Sequence, residues 1–272
     1  MPFLTVNGAR LHYEIRGRGP GTLVFAHGLL FSGEMFAPQV AALSRQYRCV
    51  TFDFRGQGRS EVTETGYDMD TLTQDALGLI RSLNLAPCHF AGLSMGGFVA
   101  MRLAIRYPEM LESLVLMATS ADPEPAENVA KYRALNFVSR WIGPGVVASR
   151  VMPIMFGGTF MEDPSRAALR KEMRRRIASN DRLGISRATA GVIDRQGVYE
   201  SLGAISVPTL VIVGDEDIAT TPAKAQRIHE AVPGSRLVTI PGAGHTATVE
   251  EPAAVTRAIA DFLARNRRGG QR

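Results

Sequence analysis

The stretch Gly92-Leu93-Ser94-Met95-Gly96-Gly97 stands between an apolar run at residues 89–93 and an amphipathic run that begins at Met95. A Gly-x-Ser-x-Gly pattern between a strand and a helix is typical of a nucleophile elbow, a turn so tight that only glycine fits on either side of the serine. The pattern therefore predicts Ser94 as an exposed nucleophile at the end of a strand. The Met95 amide, at the helix start, is then placed to stabilise an oxyanion.

Apolar runs and longer amphipathic runs alternate on both sides of this turn. The alternation is typical of βα units wound onto a parallel sheet, and near-continuous hydrophobicity indicates strands covered on both faces. Residues 4–6 and 11–15, joined by Asn7-Gly8, are predicted as an antiparallel hairpin beside that sheet. Strands are predicted at residues 22–26, 49–54, 89–93, 114–118, 209–213 and 237–240, and helices at residues 35–44, 69–83, 95–107, 222–231 and 252–265.

The alternation stops between residues 121 and 206, where turn signals separate several helical patterns without a clear strand. We therefore expect an α/β core formed by residues 1–120 and 207–272, with residues 121–206 as a helical cap insertion over the strand ends. The Met, Phe and Trp content of the insertion predicts an apolar binding pocket. Phe137 and Trp141 in the cap, and Leu30 in the core, are the candidate substrate-binding residues.

A serine nucleophile needs a base, and the base needs an acid that orients it. Among the five histidines, His245 follows the last predicted strand, where a loop at a carboxyl end could reach Ser94. The preceding strand ends in Gly214-Asp215-Glu216-Asp217, so three acids compete for the third role.

These features together resemble the α/β-hydrolase fold superfamily over nearly the whole chain. In those relatives the strand before the histidine typically ends in Gly-x-x-Asp, which implies Asp217 as the acid, with Asp215 as the main rival and Asp122 as a minority placement. The turn His27-Gly28-Leu29 is similar to the family's second oxyanion turn, so the resemblance implies that the Leu29 amide is the other donor and that His27 shapes the turn.

The resemblance implies a serine hydrolase that cleaves small-molecule carboxylic esters or lactones, similar to enol-lactonases, cofactor-free perhydrolases and N-acyl homoserine lactonases. A carboxylesterase that also opens lactones is the first choice. The alternatives are a perhydrolase or haloperoxidase, which usually has Trp in place of Leu29, a carbon–carbon bond hydrolase, and a ligand receptor that keeps the three residues.

Composition and net charge limit the classes of partner that we expect. The 272 residues are 45% hydrophobic and carry a formal charge of +5, which matters for nucleic acid or acidic membranes only if it is focused on one face. The basic run at residues 166–187 has the spacing of a solvated helix, so we expect neither a nucleic acid nor a membrane partner. Without a signal segment, a metal-ligand cluster or a complete dinucleotide motif, we expect a cytoplasmic protein with no metal and no cofactor. Residues 265–272 are predicted to be a frayed tail.

Overall fold

A computed structural model describes residues 2–266 of this chain. Residues 267–272, which include most of the predicted tail, lie outside the described residues. Within the described part, eight strands form one sheet: β1 (Phe3–Val6), β2 (Ala9–Arg16), β3 (Gly21–Ala26), β4 (Tyr47–Phe52), β5 (Cys88–Leu93), β6 (Leu111–Met117), β7 (Thr209–Gly214) and β8 (Arg236–Ile240).

The strands lie in the order β1-β2-β4-β3-β5-β6-β7-β8. The pairs β1–β2 and β2–β4 are antiparallel and all the later pairs are parallel. The predicted hairpin is confirmed, since Asn7 and Gly8 connect β1 to β2 with φ of 48° and 73°, as a type I′ turn requires. The α/β-hydrolase fold that the sequence predicts is therefore the fold observed.

Helices cover both faces of the sheet and also fill the connection between β6 and β7. The α-helices are α1 (Ala37–Leu43), α2 (Met69–Ser82), α3 (Met95–Arg106), α4 (Ala126–Trp141), α5 (Pro144–Met155), α6 (Gly158–Glu162), α7 (Ala167–Ala178), α8 (Arg182–Ile193), α9 (Pro222–Ala231), α10 (Ala247–Glu250) and α11 (Pro252–Arg265). Helices α4 to α8 fall inside the segment predicted as an insertion, and we call them the cap helices. None of the described helices is long and apolar enough to cross a membrane.

The alternation of side chains along each strand explains why both faces of the sheet are apolar. Leu23 and Phe25 of β3 pack with α1 and α11 on one side, whereas Val24 and Ala26 pack with α2, α3 and α9 on the other. Successive side chains of a strand point to opposite faces, so a strand covered on both sides must be apolar throughout.

The predicted strand at residues 49–54 is shifted in the structure to Tyr47–Phe52. Asp53 and Phe54 already belong to the following turn, because the Asp53 carboxylate accepts hydrogen bonds from the amides of Gly33 (2.8 Å) and Arg59 (2.9 Å). Side-chain bonding to nearby amides thus ends this strand earlier than hydrophobicity indicates.

Candidate active site

Ser94 lies in a strained turn between β5 and α3. Its φ of 52° and ψ of −110° are unusual for a residue with a side chain. A Cβ atom on Gly92 would overlap the carbonyl of Gly96, and one on Gly96 would overlap the carbonyl of Ala26. The two glycines are required by close backbone approach, and the tight strand-to-helix turn is the one that the sequence predicts. The prediction that Ser94 is exposed is wrong, since the residue is only 9% exposed, in a cavity lined largely by the connection between β6 and β7.

His245 and Asp217 form a buried pair at the ends of β7 and β8. His245 Nδ1 lies 3.0 Å from Asp217 Oδ2, and the two residues are 3% and 2% exposed. The Thr220 hydroxyl lies between them, 2.8 Å from Asp217 Oδ2 and 3.1 Å from His245 Nδ1. The amides of Ala219 and Thr220 donate to the other carboxylate oxygen. A histidine whose Nδ1–H donates to a carboxylate presents Nε2 as a base.

The environment of Asp217 favours the ionised carboxylate. Burial alone would raise its pKa, but the interaction with His245 and the hydrogen bonds from His245 and Thr220 outweigh burial and hold the pKa below its ordinary value. Asp217 thus remains an anion beside the imidazole at neutral pH.

The other acids considered for this role have different partners. Asp215 accepts a hydrogen bond from the Gly242 amide (2.7 Å), Glu216 accepts from the Thr159 amide (2.8 Å), and Asp122 pairs with Arg227 (3.3 Å). Among the described residues, only Asp217 of these four contacts His245.

The turn after β3 brings a second backbone amide toward the elbow. A Cβ atom on Gly28 would come within 2.9 Å of Leu93 Cδ2 and 3.4 Å of Ser94 Cβ, so glycine permits the close approach. Within residues 2–266, neither the Leu29 amide nor the Met95 amide donates to a protein acceptor. An oxyanion hole requires backbone amides that are free of protein acceptors, so the two amides stay the candidates for that role.

Both ring nitrogens of His27 contact backbone atoms in and beside this turn. Its Nε2 accepts from the Phe54 amide (2.9 Å), and its Nδ1 lies 2.8 Å from the Gly28 carbonyl. Burial lowers its pKa and outweighs the opposing charge of Asp53, so the ring is neutral. With both nitrogens engaged, His27 has no free atom to act as a base.

Gln57 holds the same turn, and sequence reasoning missed it. Its Oε1 accepts from the Leu30 amide (2.9 Å) and its Nε2 lies 3.8 Å from Met95 Sδ. Leu30 itself has a φ of 74°, a strained value for leucine. The signal in the sequence is Gly56-Gln57-Gly58, a polar residue between two turn glycines.

Glu250 is a second residue that the sequence did not reveal. Its Oε2 accepts from the amides of Gly157 (2.8 Å) and Gly244 (2.9 Å), and its Oε1 accepts from the amide and hydroxyl of Thr246 (both 3.0 Å). Burial raises its pKa, and these hydrogen bonds oppose that shift. Three of the four partners are backbone amides, which can only donate, whereas the Thr246 hydroxyl also lies 2.9 Å from the Met155 carbonyl and has one proton for the two acceptors. Glu250 therefore braces both neighbours of His245 and joins them to the cap helices.

Ser94 and His245 open into one cavity of about 140 Å³. The cap helices supply most of its wall, which is largely aliphatic, with a polar end formed by Tyr132, Asn136 and the buried Arg195–Glu124 ion pair (2.7 Å). Leu29 and Leu30 line it from the core side. Its aliphatic lining residues are Leu135, Val147, Val151, Ile154, Met155, Ile185, Val192 and Ile193. A larger groove of about 690 Å³ behind the turn of Leu30 includes neither Ser94 nor His245.

Phe137 and Trp141 do not line this cavity, which corrects the expectation for both. They are 66% and 64% exposed on α4. The α4 residues that face the cavity are Tyr132, Leu135, Asn136 and Ser139, spaced as one side of a helix, and Phe137 and Trp141 fall on another side. Among the described residues there is no cluster of histidine, cysteine, aspartate and glutamate side chains that could hold a metal ion.

Comparison with known proteins agrees with this geometry. The family model of the alpha/beta hydrolase fold matches residues 21–252. An esterase structure from Thermogutta terrifontis superposes with a TM-score of 0.92 at 28% identity, covering 98% of this chain and 100% of that one. The enol-lactonase structure from Burkholderia xenovorans gives 0.90 at 32% identity, covering 97% and 100%. A Mycobacterium tuberculosis protein provisionally named a non-heme bromoperoxidase is 31% identical, over 93% of this chain and 97% of its own length.

This chain belongs to the α/β-hydrolase fold family. It is similar to members named for esterase, lactonase and bromoperoxidase activity.

Proposed function

We propose that this protein hydrolyses small carboxylic esters or lactones in the cytoplasm, through an acyl-serine intermediate, with residues 121–206 as a cap subdomain over the site. The observation that carries the proposal is the cavity lined by Ser94, His245 and Leu29, with Asp217 hydrogen-bonded to His245 behind it. Ser94, Asp217 and His245 also follow one another in the chain order used by the family.

In the proposed mechanism, His245 Nε2 takes the hydroxyl proton of Ser94 as the Ser94 oxygen attacks the carbonyl carbon. The amides of Leu29 and Met95 bind the oxyanion of the tetrahedral intermediate. His245 then donates the proton to the leaving alkoxide, and the carbon–oxygen bond breaks. Water, deprotonated by His245, attacks the acyl-serine, and the carboxylic acid leaves as Ser94 recovers its proton.

The cavity argues for a small, largely apolar substrate. Its volume of about 140 Å³ lies below the range of about 300–1,000 Å³ usual for pockets that hold drug-sized ligands. We therefore expect acetyl and butyryl esters, and small lactones, to be turned over faster than long acyl esters.

Turnover of p-nitrophenyl butyrate by the wild type, compared with Ser94→Ala, tests the proposal. We expect activity and labelling by a fluorophosphonate in the wild type, and neither in the variant. If the wild type gives no turnover and no labelling, the hydrolase proposal is wrong, and the ligand-receptor alternative takes its place.

The bromoperoxidase relative favours one second candidate, a perhydrolase. In that reaction an acyl-serine forms from an ester with release of an alcohol, or from a carboxylic acid with release of water, and hydrogen peroxide then replaces water as the nucleophile and releases a peracid. Peracid formation from acetate and peroxide, measured beside ester hydrolysis, separates the two activities.

A further inference from the structure

The outer side of the cap carries an exposed apolar surface formed by Phe137, Trp141, Ile142 and Val146, which we call the cap patch. These residues are 66%, 64%, 59% and 59% exposed. Phe137 and Trp141 pack against each other with ring centroids 6.3 Å apart. The four residues lie where α4 ends and α5 begins, within ten positions of the chain.

The helix that carries this surface is apolar on a second side as well. Leu135 and Val138 of α4 pack against the core, and Leu135 also lines the cavity. A helix whose inward side is already buried normally presents polar residues to water. Large exposed apolar residues in one group, in contrast to scattered single ones, are typical of a surface that binds something.

The segment of chain that carries the cap patch has charges of one sign. From residue 128 to residue 161 the chain contains Lys131, Arg133, Arg140 and Arg150, and no aspartate or glutamate. Arg133 pairs with Asp194 (2.9 Å). The segment that carries the apolar side chains therefore has three cationic side chains besides the paired Arg133.

Three arginines border the patch directly. The guanidinium of Arg140 lies 5.1 Å from the centre of the Trp141 ring, and Arg182 Nη1 donates to the Trp141 carbonyl (3.5 Å). Arg150 lies one helical turn beyond Val146 and is exposed. Over the part of the chain that the structure describes, none of these three forms an ion pair with a carboxylate.

We propose that the cap patch docks this protein on the surface of membranes that contain anionic phospholipid. Tryptophan and phenylalanine enter the boundary between headgroups and acyl chains, and arginine on the rim binds lipid phosphate while its stem covers apolar surface. Surface docking needs no spanning helix, so it is consistent with the helices described above. It differs from the expectation of no membrane partner, which depended on the basic run at residues 166–187 and did not consider the cap patch.

A second copy of the chain fits this surface less well. Two cap patches placed face to face would bring Arg140, Arg150 and Arg182 of both copies together, and like charges in contact oppose association. Anionic lipid neutralises the same arginines. Nucleic acid would use the arginines but would leave Ile142 and Val146 in water.

Trp141 is the only tryptophan in the chain, so its fluorescence reports directly on the patch. The protein is titrated with vesicles of phosphatidylcholine alone and with vesicles of phosphatidylcholine mixed equally with phosphatidylglycerol, and binding is measured in parallel by cosedimentation. We expect a blue shift and cosedimentation with the anionic vesicles only, both weakened by added salt, because the attraction is screened.

Substitutions in the cap patch test whether it is the surface that contacts the vesicle. Phe137→Ser combined with Ile142→Ser is expected to abolish cosedimentation, whereas Ile218→Ser, at a residue that is also 66% exposed but outside the patch, is the matched control and should bind like the wild type. Arg140→Gln and Arg150→Gln should each lower the partition coefficient about fivefold. Circular dichroism shows that each variant is folded.

Four results would overturn the proposal: equal binding to both vesicle types, cosedimentation without a change in Trp141 fluorescence, no cosedimentation at all, or binding that survives the double substitution. A sedimentation coefficient that rises with protein concentration in the wild type, but stays at the monomer value in the double variant, would show that the patch binds a second copy instead. Retention of oligonucleotide by the patch, lost in Arg140→Gln, would assign it to nucleic acid. Vesicle binding does not require turnover, so failure of the hydrolase proposal and failure of this one are distinguishable.

Discussion

Replacing Glu250 with glutamine removes one of the two carboxylate oxygens that hold the loop of His245. The amide nitrogen of glutamine is itself a donor, so toward Gly157 and Gly244 it would leave two amides without an acceptor. Toward Thr246 it would leave only the Thr246 amide without an acceptor, because the Thr246 hydroxyl can donate to the Met155 carbonyl and accept from the glutamine. One hydrogen bond to a charged group is then lost, and unfolding should become easier by about 2 kcal/mol.

The effect on catalysis follows from position, because Gly244 and Thr246 are the two neighbours of His245. A shift of about 1 Å in a catalytic group is enough to cost about a hundredfold in rate. We expect Glu250→Gln to lower kcat for p-nitrophenyl butyrate by up to that factor, with little change in KM, since Glu250 does not line the cavity. The rates are measured at a temperature at which circular dichroism shows the variant folded.

Glu251→Gln is the matched control for this change. Glu251 is adjacent in the chain, but its carboxylate pairs with Arg166 (2.7 Å) at a partly exposed position, where such a pair contributes about 0.5 kcal/mol. Its stability and kcat should stay close to those of the wild type. If folded Glu250→Gln keeps the wild-type kcat, or if Glu251→Gln loses as much activity, then the brace on the His245 loop is not what positions the base.

The remaining predictions concern the acid, the oxyanion turn and the cavity. Asp217→Asn should lower kcat about a thousandfold or more by presenting the wrong histidine tautomer, whereas Asp215→Asn should leave it nearly unchanged; the reverse ranking would contradict the assignment. Because the pKa of Asp217 is below its ordinary value of 3.8, its stabilising contribution is present above that pH and is lost as the pH falls through the folded-state pKa. Urea unfolding should therefore show the gap between wild type and Asp217→Asn closing in acid; a constant gap would argue against it. Gln57→Leu removes the acceptor of the Leu30 amide and should lower kcat about tenfold at similar KM, unless the turn holds without it. Val151→Trp should reduce butyrate turnover more than acetate turnover, because it fills the cavity wall; equal reductions would place the acyl group elsewhere.

Local chemistry made the core predictable. The turn at Ser94 requires glycine at specific neighbours, and a strand buried on both faces must be apolar along its whole length, so both leave a signal within a few residues. The hairpin at Asn7-Gly8 is equally local. The end of β4 was misplaced because the Asp53 carboxylate caps the strand through amides that lie up to 20 residues away.

The sequence by itself determined the fold, the elbow at Ser94 and the candidates for its partners, because each depends on residue type and short spacing. Tertiary structure decided which acid contacts His245, since Asp215, Glu216 and Asp217 are alike in sequence and differ only in what lies beside them. It also decided which side of α4 faces the cavity. Aromatic content predicted that Phe137 and Trp141 line the pocket, but in the packed structure Leu135 lines it and those two residues are exposed. The brace at Glu250 depends on a contact with Gly157, 93 residues away. Contacts at that separation are set by how the elements pack, and no local pattern encodes them.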